Sequence, residues 1–193
     1  MATILILQGH PDPDGGHLCH ALADAYSAGA EKAGHRVLRV EVSRLVFPLL
    51  RTQQDFQQGP APQSLAGARA ALVEAEHVVL FFPLWLGGMP ALLKGFLEQI
   101  LRPGFAFDYL PGGGTRMLLD GRSARVVVTM GMPGLVFRLW YLGAGLSAVT
   151  RNIFRFVGFS PVRSTVLGGV DVAGDARRRR WLAQMAALGR EAA

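Results

Sequence analysis

Three loops hold the residues whose types and spacing could do chemistry. The first, Gly9-His10-Pro11-Asp12-Pro13-Asp14-Gly15-Gly16-His17, follows a short apolar run and opens a helical stretch. It is neither a Walker A loop nor GxGxxG, so an ATPase or Rossmann dinucleotide site has no motif here. It does offer backbone N–H groups at a helix N-terminus, where the dipole and the unpaired donors favour a phosphate. His10 and His17 are further donors to such a group, although a solvated turn with two surface histidines accounts for the same residues equally well. The second loop, Pro83-Leu84-Trp85-Leu86-Gly87-Gly88, is apolar where loops are usually polar, so something must cover it. A flat heteroaromatic ring meets that need: apolar side chains flank its faces while backbone groups read its polar edge. Packing of Trp85 in the core or at a dimer contact is the alternative. The third is Thr129-Met130-Gly131-Met132-Pro133.

Other chemistries lack their residues. No Ser-His-Asp set or pair of acids stands out among the scattered histidines 10, 17, 20, 35 and 77. His10, His17 and His20 do not share one helix face, so no metal site is expected. The single cysteine, Cys19, can form neither an intrachain disulfide nor a zinc cluster; packing is its expected role, and a reducing compartment agrees with it.

These loops need a frame that brings them together. Apolar runs at residues 3–8, 36–42, 77–82, 124–130 and 162–167 have the length and the Val, Ile and Leu content of strands buried on both faces. Helical stretches at 16–33 (closed by Gly34 as a C-cap), 64–75, 90–101, 135–157 (broken near 143–145) and 175–189 alternate with them. Phe105, Phe107 and Tyr109 alternate as in a short extended segment before the Gly112-Gly113-Gly114 turn. A βα repeat of this kind implies a parallel sheet with right-handed crossovers and helices on both faces. The expected fold is α/β, a flavodoxin-like three-layer sandwich whose five strands run in the order 2-1-3-4-5. That order opens a crevice at the carboxyl ends of the first, third and fourth strands, where the three loops fall. The 193 residues, without repeat or linker, are expected to form one domain, 1–193.

Composition narrows the partners. The chain is 50% hydrophobic and 18% charged, which suits a doubly covered sheet or a surface hidden in an oligomer. The net charge of +6 owes much to Arg177, Arg178, Arg179 and Arg180, read as a solvated helix face. Nucleic-acid binding would need basic residues spread over a surface, and is not expected. The apolar stretch 78–93 is interrupted by prolines and glycines and is too short to span a bilayer, and residues 1–7 lack the marks of a signal peptide. A cytoplasmic location is expected.

Pro83-Leu84-Trp85, then Gly88-Met89-Pro90-Ala91-Leu92-Leu93-Lys94-Gly95-Phe96, then Pro103-Gly104-Phe105-Ala106-Phe107 resembles the flavin-dependent NAD(P)H quinone reductases. The resemblance runs from Gly9-His10-Pro11 to Thr129–Pro133 and covers most of the chain. It implies a flavodoxin-like homodimer with its site between subunits, binding FAD or FMN, with FAD favoured. Hydride would pass from NAD(P)H through the flavin to a quinone, nitro or azo compound, without a protein nucleophile. By position, His10, His17, Leu18 and Cys19 would hold the flavin's phosphate and ribityl parts. Pro83, Leu84, Trp85 and Leu86 would line its ring, and Thr129, Met130, Gly131 and Met132 its pyrimidine side. Phe107, Tyr109, Phe137 and Tyr141 would line the substrate pocket. Phe137 stands where the family has a tyrosine, and the histidine expected near Gly145 is missing. The alternatives are a one-electron carrier and an accessory subunit of a membrane transporter.

Overall fold

The computed structural model describes residues 1–193, the side chain of Arg138 apart. Its main sheet holds five parallel strands in the order β2-β1-β3-β6-β7: β1 (Thr3–Gln8), β2 (Arg36–Glu41), β3 (His77–Pro83), β6 (Ser123–Met130) and β7 (Val162–Gly168). Numbered along that sheet alone, this is 2-1-3-4-5, the flavodoxin-like order. A two-stranded antiparallel ribbon, β4 (Phe107–Tyr109) with β5 (Thr115–Met117), stands apart from it.

Strand alternation sorts the core into two layers. Leu5, Leu7, Val78, Leu80, Phe82, Val126 and Val128 face one side, under α3 (Ala66–Glu74) and α4 (Ala91–Ile100). Ile4, Ile6, Val79, Phe81 and Val127 face the other, under α1 (Leu18–Lys32) and α7 (Asp175–Glu191). The three central strands are apolar on both faces over most of their length, broken by buried Gln8, His77, Arg125 and Thr129, which is why they read as continuous hydrophobic runs. β2 and β7, expected to be buried on both faces, are edge strands and only partly covered. Helices α1 and α7 touch backbone to backbone: a Cβ on Gly29 would lie 2.1 Å from the Ala186 carbonyl oxygen, and one on Gly189 equally near that of Tyr26.

Helix α1 ends as its sequence implies. Gly34 has φ 82°, its N–H goes to the Glu31 carbonyl, and the His35 N–H goes to that of Ala30, the paired bonds of a Schellman cap.

Three local features depart from the sequence reading. The stretch 53–63 contains a helix, α2 (Gln53–Gln58), whose start is capped by Thr52 Oγ1 accepting from the Asp55 N–H. The alternating aromatics Phe105, Phe107 and Tyr109 lead into a true hairpin, closed by Gly112, Gly113 and Gly114, all at positive φ. The 135–157 region divides into α5 (Gly134–Leu139), α6 (Ala144–Ser147) and a π-helical segment Ala148–Arg155. The break falls at Leu142 and Gly143, both in the left-handed region.

Candidate functional site

The three chemistry-bearing loops meet at the carboxyl edge of the sheet because β1, β3 and β6 are adjacent and in register there. Their joining is direct: the Gly9 N–H donates to the Phe81 carbonyl at 2.7 Å, and the Leu84 N–H to that of Thr129 at 2.8 Å. Gly9 is required by space, since a Cβ would lie 2.6 Å from Leu93 Cδ2 and 3.0 Å from the Phe81 oxygen.

Between the loops lies a cavity of about 860 Å³, within the ~300–1,000 Å³ of sites that hold drug-sized ligands and cofactors. The first loop and the start of α1 contribute His10, Gly16, His17, Leu18 and Cys19; the second loop Pro83, Leu84 and Trp85; the third Thr129, Met130 and Gly131. Two residues named with these from the sequence do not line it. Leu86 is fully exposed at the tip of its turn, and Met132 packs against the apolar core.

The first-loop end of this cavity has a defined protonation pattern. His10 is buried, and its Nδ1 accepts from the Asp12 N–H at 3.2 Å, so the neutral ring carries its proton on Nε2. Burial, then the nearby His17 and His20, push its pKa down to about 4, so it is a neutral donor near pH 7. Its ring stacks on His17 with centroids 4.0 Å apart. His17 Nε2 lies 2.7 Å from Asp12 Oδ2, and this bond holds the Asp12 carboxyl below the usual carboxylate range. Burial pushes the Cys19 thiol up to about 12, so it remains a thiol and cannot serve as a nucleophile. The first turn of α1 supplies further donors: the N–H groups of His20 and Ala21 both go to the His17 carbonyl, and those before them have no helical acceptor.

Sequence reasoning missed part of the wall. Val170 and Asp171, after β7, and Arg178 and Leu182, on α7, line the same cavity. Arg178 and Leu182 are four apart and so share a helix face, a spacing visible in the sequence but hidden within a run read as solvated. Arg177 beside them donates to the Gly168 carbonyl at 3.0 Å and lies over the Trp181 ring, 4.8 Å from its centroid, so the arginine run is partly structural.

The four residues named for a substrate pocket lie elsewhere in this chain. Phe107 and Tyr109 line a separate hollow of about 250 Å³ with Phe56, Leu97 and Phe156, rimmed by Lys94 and Glu98. Phe137 is fully buried and borders a hollow between α5, α6 and β7, with Leu146, Ser147 and Ser164. Tyr141 is half-exposed on the α5–α6 connection.

Fold and site together define a flavodoxin-type crevice with a phosphate-suited end and an apolar, ring-suited end. The chain belongs to the family described as Flavodoxin-like fold, whose model matches residues 2–188. An FMN-dependent NADH:quinone oxidoreductase of Ruegeria pomeroyi is 34% identical over 144 residues, covering 66% of this chain and 70% of the relative. An uncharacterized NAD(P)H oxidoreductase of Haemophilus influenzae is 22% identical over 166 residues, covering 84% and 82%. The structure of an NAD(P)H:quinone oxidoreductase from Methanothermobacter marburgensis superposes with TM-score 0.80 at 22% identity, covering 98% of this chain and 96% of that one, and shares its fold. No helix among the described residues is long and apolar enough to cross a membrane.

Proposed function

We propose that this chain is a flavin-dependent oxidoreductase that takes hydride from NAD(P)H and delivers it to a quinone or a related small acceptor, with FMN as the flavin. The observation that carries the reading is the single cavity in which the His10–Cys19, Pro83–Trp85 and Thr129–Gly131 loops converge, one end rich in N–H donors and the other apolar. Its size and donor set fit a phosphorylated flavin. The relative with the highest identity quoted above is named as FMN-dependent, so FMN replaces the FAD preference drawn from the resemblance.

When bound, the flavin supplies the two-electron chemistry, and the protein's work is binding, orientation and exclusion of water. His10, as a neutral Nε2–H donor, and the first-turn N–H groups of α1 would hold the phosphate. Pro83, Leu84 and Trp85 would flank the ring, and the Thr129–Gly131 backbone would read its polar edge. Leu86 and Met132 would act behind these, the first at the mouth of the site and the second as support. Donor and acceptor would use the same open ring face in turn, which gives ping-pong kinetics.

We further propose a homodimer. Trp85, Leu86, Leu135, Leu139, Trp140 and Leu142 are all exposed, with Leu86 109% and Trp140 82% accessible. They lie on the Trp85–Gly88 turn and on α5 with its connection to α6, and α6 rests on the Gly87 carbonyl. So much apolar surface beside a crevice marks an interaction site. A partner covering it would bring a second Tyr109 and Tyr141, both exposed, to the assembly, the route by which they would reach substrate, with the buried Phe107 and Phe137 supporting them from behind.

The test is direct. Purified protein mixed with FMN should show bound-flavin absorbance and oxidise NADH or NADPH with a soluble benzoquinone. Protein that takes up neither FMN nor FAD and oxidises neither nucleotide would end this reading.

A further inference from the structure

Gln8, the last residue of β1, is fully buried, yet it is polar and belongs to none of the loops that line the cavity. Its amide joins the two ends of the phosphate-suited loop. Gln8 Oε1 accepts from the His10 N–H at 3.0 Å, where the loop begins. Gln8 Nε2 donates to the Cys19 carbonyl at 3.1 Å, where α1 has begun, and the Cys19 thiol donates back to Oε1 at 3.5 Å. A buried amide with both its acceptor and its donor engaged across eleven residues is costly to place without a purpose.

We infer that Gln8 is the positioning residue for phosphate recognition: it sets His10 and the α1 N-terminus at a fixed separation, so that both can grip one phosphate. The inference rests on the flavin reading above. His10 Nε2–H and the first-turn N–H groups come from opposite ends of a loop rich in glycine and proline. Without a clasp, each phosphate contact would first have to order that loop, an entropic cost set against binding. Gln8 bears that cost in folding, before any ligand arrives. Its own side-chain hydrogen bonds all go to His10 and Cys19, while the ring end is tied directly by the Leu84 N–H to the Thr129 carbonyl.

Riboflavin has the ring and ribityl chain of FMN but no phosphate, so the two ligands separate this role from general structural damage. In Gln8→Met, of similar volume, FMN should bind about ten- to a hundredfold more weakly by fluorescence titration, while riboflavin should stay within about twofold of the unaltered protein. Equal weakening of both ligands, or of neither, would overturn the inference. If the unaltered protein binds no FMN, it is the flavin reading that fails first, and this inference falls with it.

Should Gln8→Met not fold, Gln8→Glu carries the test. Its ionised carboxylate can still accept from the His10 N–H but has no proton for the Cys19 carbonyl; once protonated, it restores the donor. The FMN affinity of Gln8→Glu, as a ratio to the unaltered protein at each pH, should therefore recover as pH falls. A ratio that does not change with pH would refute the clasp.

Discussion

The Cα of Gly145 packs on the carbonyl oxygen of Gly87, so closely that a Cβ at Gly145 would lie 1.9 Å from that oxygen. This contact seats α6 on the second loop. It also explains physically why the residue near the family's histidine position carries no side chain here: the backbone of the Trp85–Gly88 turn occupies the space.

Gly145→Ala should therefore displace either α6 or the turn. The expected loss is about 1–3 kcal/mol, as for overpacking elsewhere, with a matching drop in flavin affinity. Thermal melting with and without FMN would measure both, and an unchanged Tm would show that the two segments part easily.

Trp85 and Gly88 exchange both backbone hydrogen bonds at 2.9 Å, with Leu86 at φ 47° and Gly87 at φ 81° between them. This is the mirror-image hairpin turn that favours Asn-Gly. Leucine in its first position carries a strained β-carbon and exposes its whole side chain. Leu86→Asn should stabilise the monomer by about 1 kcal/mol, raising Tm by roughly 2–4 °C in a chain of this size. The same change removes an apolar tip from the proposed contact surface, so self-association by sedimentation should weaken as Tm rises.

Arg102, buried at the end of α4, donates through Nη1 to the carbonyls of Asp55, Gly59 and Pro60 at 2.9, 2.7 and 3.2 Å. It also bonds to Gln99. It thus gathers the carbonyls at the end of α2. Replacing it with Met should cost about 2–4 kcal/mol, because those carbonyls would lose their charged donor in the interior. Amide hydrogen exchange should quicken first in Gln53–Gln58, and urea denaturation would give the total.

His10 and His77 are both held near pKa 4 in the fold, burial being the larger cause in each, against 6.5 when free. Between pH 6.5 and 4 the unfolded chain binds protons that the folded chain refuses, so stability rises with pH across this window. The contribution is full above 6.5 and is lost as pH falls toward 4. His77 is the cleaner probe: its Nδ1 meets Ser123 Oγ at 2.7 Å, its Nε2 is buried without a partner, and it lies far from the loops. His77→Gln should lower the slope of unfolding free energy against pH by up to about one proton, or ~1.4 kcal/mol per pH unit, measured by urea titration at several pH values. An unchanged slope would place the uptake elsewhere.

Much of this molecule was legible in its residues. Continuous apolar runs separated by helical stretches specify a doubly covered parallel sheet, because only strands buried on both faces tolerate Val, Ile and Leu at every position. The strand order followed, and with it the meeting place of the loops after Gln8, Phe82 and Thr129. The Gly34 cap was equally plain, since a left-handed residue closes α1. The alternating aromatics before the glycine triplet foretold extended chain, though not its pairing with β5, because three residues carry too little pattern to name a partner.

What residue types and spacing determined was therefore local and periodic: the elements, their order, the loops with unusual chemistry and the family likeness those loops carry. Only the tertiary structure decided which distant groups share a space. It brought Arg178, Leu182 and Asp171 to the cavity and turned Leu86 outward. It turned Phe137 of α5 inward, away from the cavity, and it made a clasp of Gln8, which in sequence is just the polar end of a strand. The reason is that such roles depend on direction and separation after packing: a side chain's neighbours across the crevice are set by helix rotation and turn handedness, and neither is written in the spacing of residues along one segment.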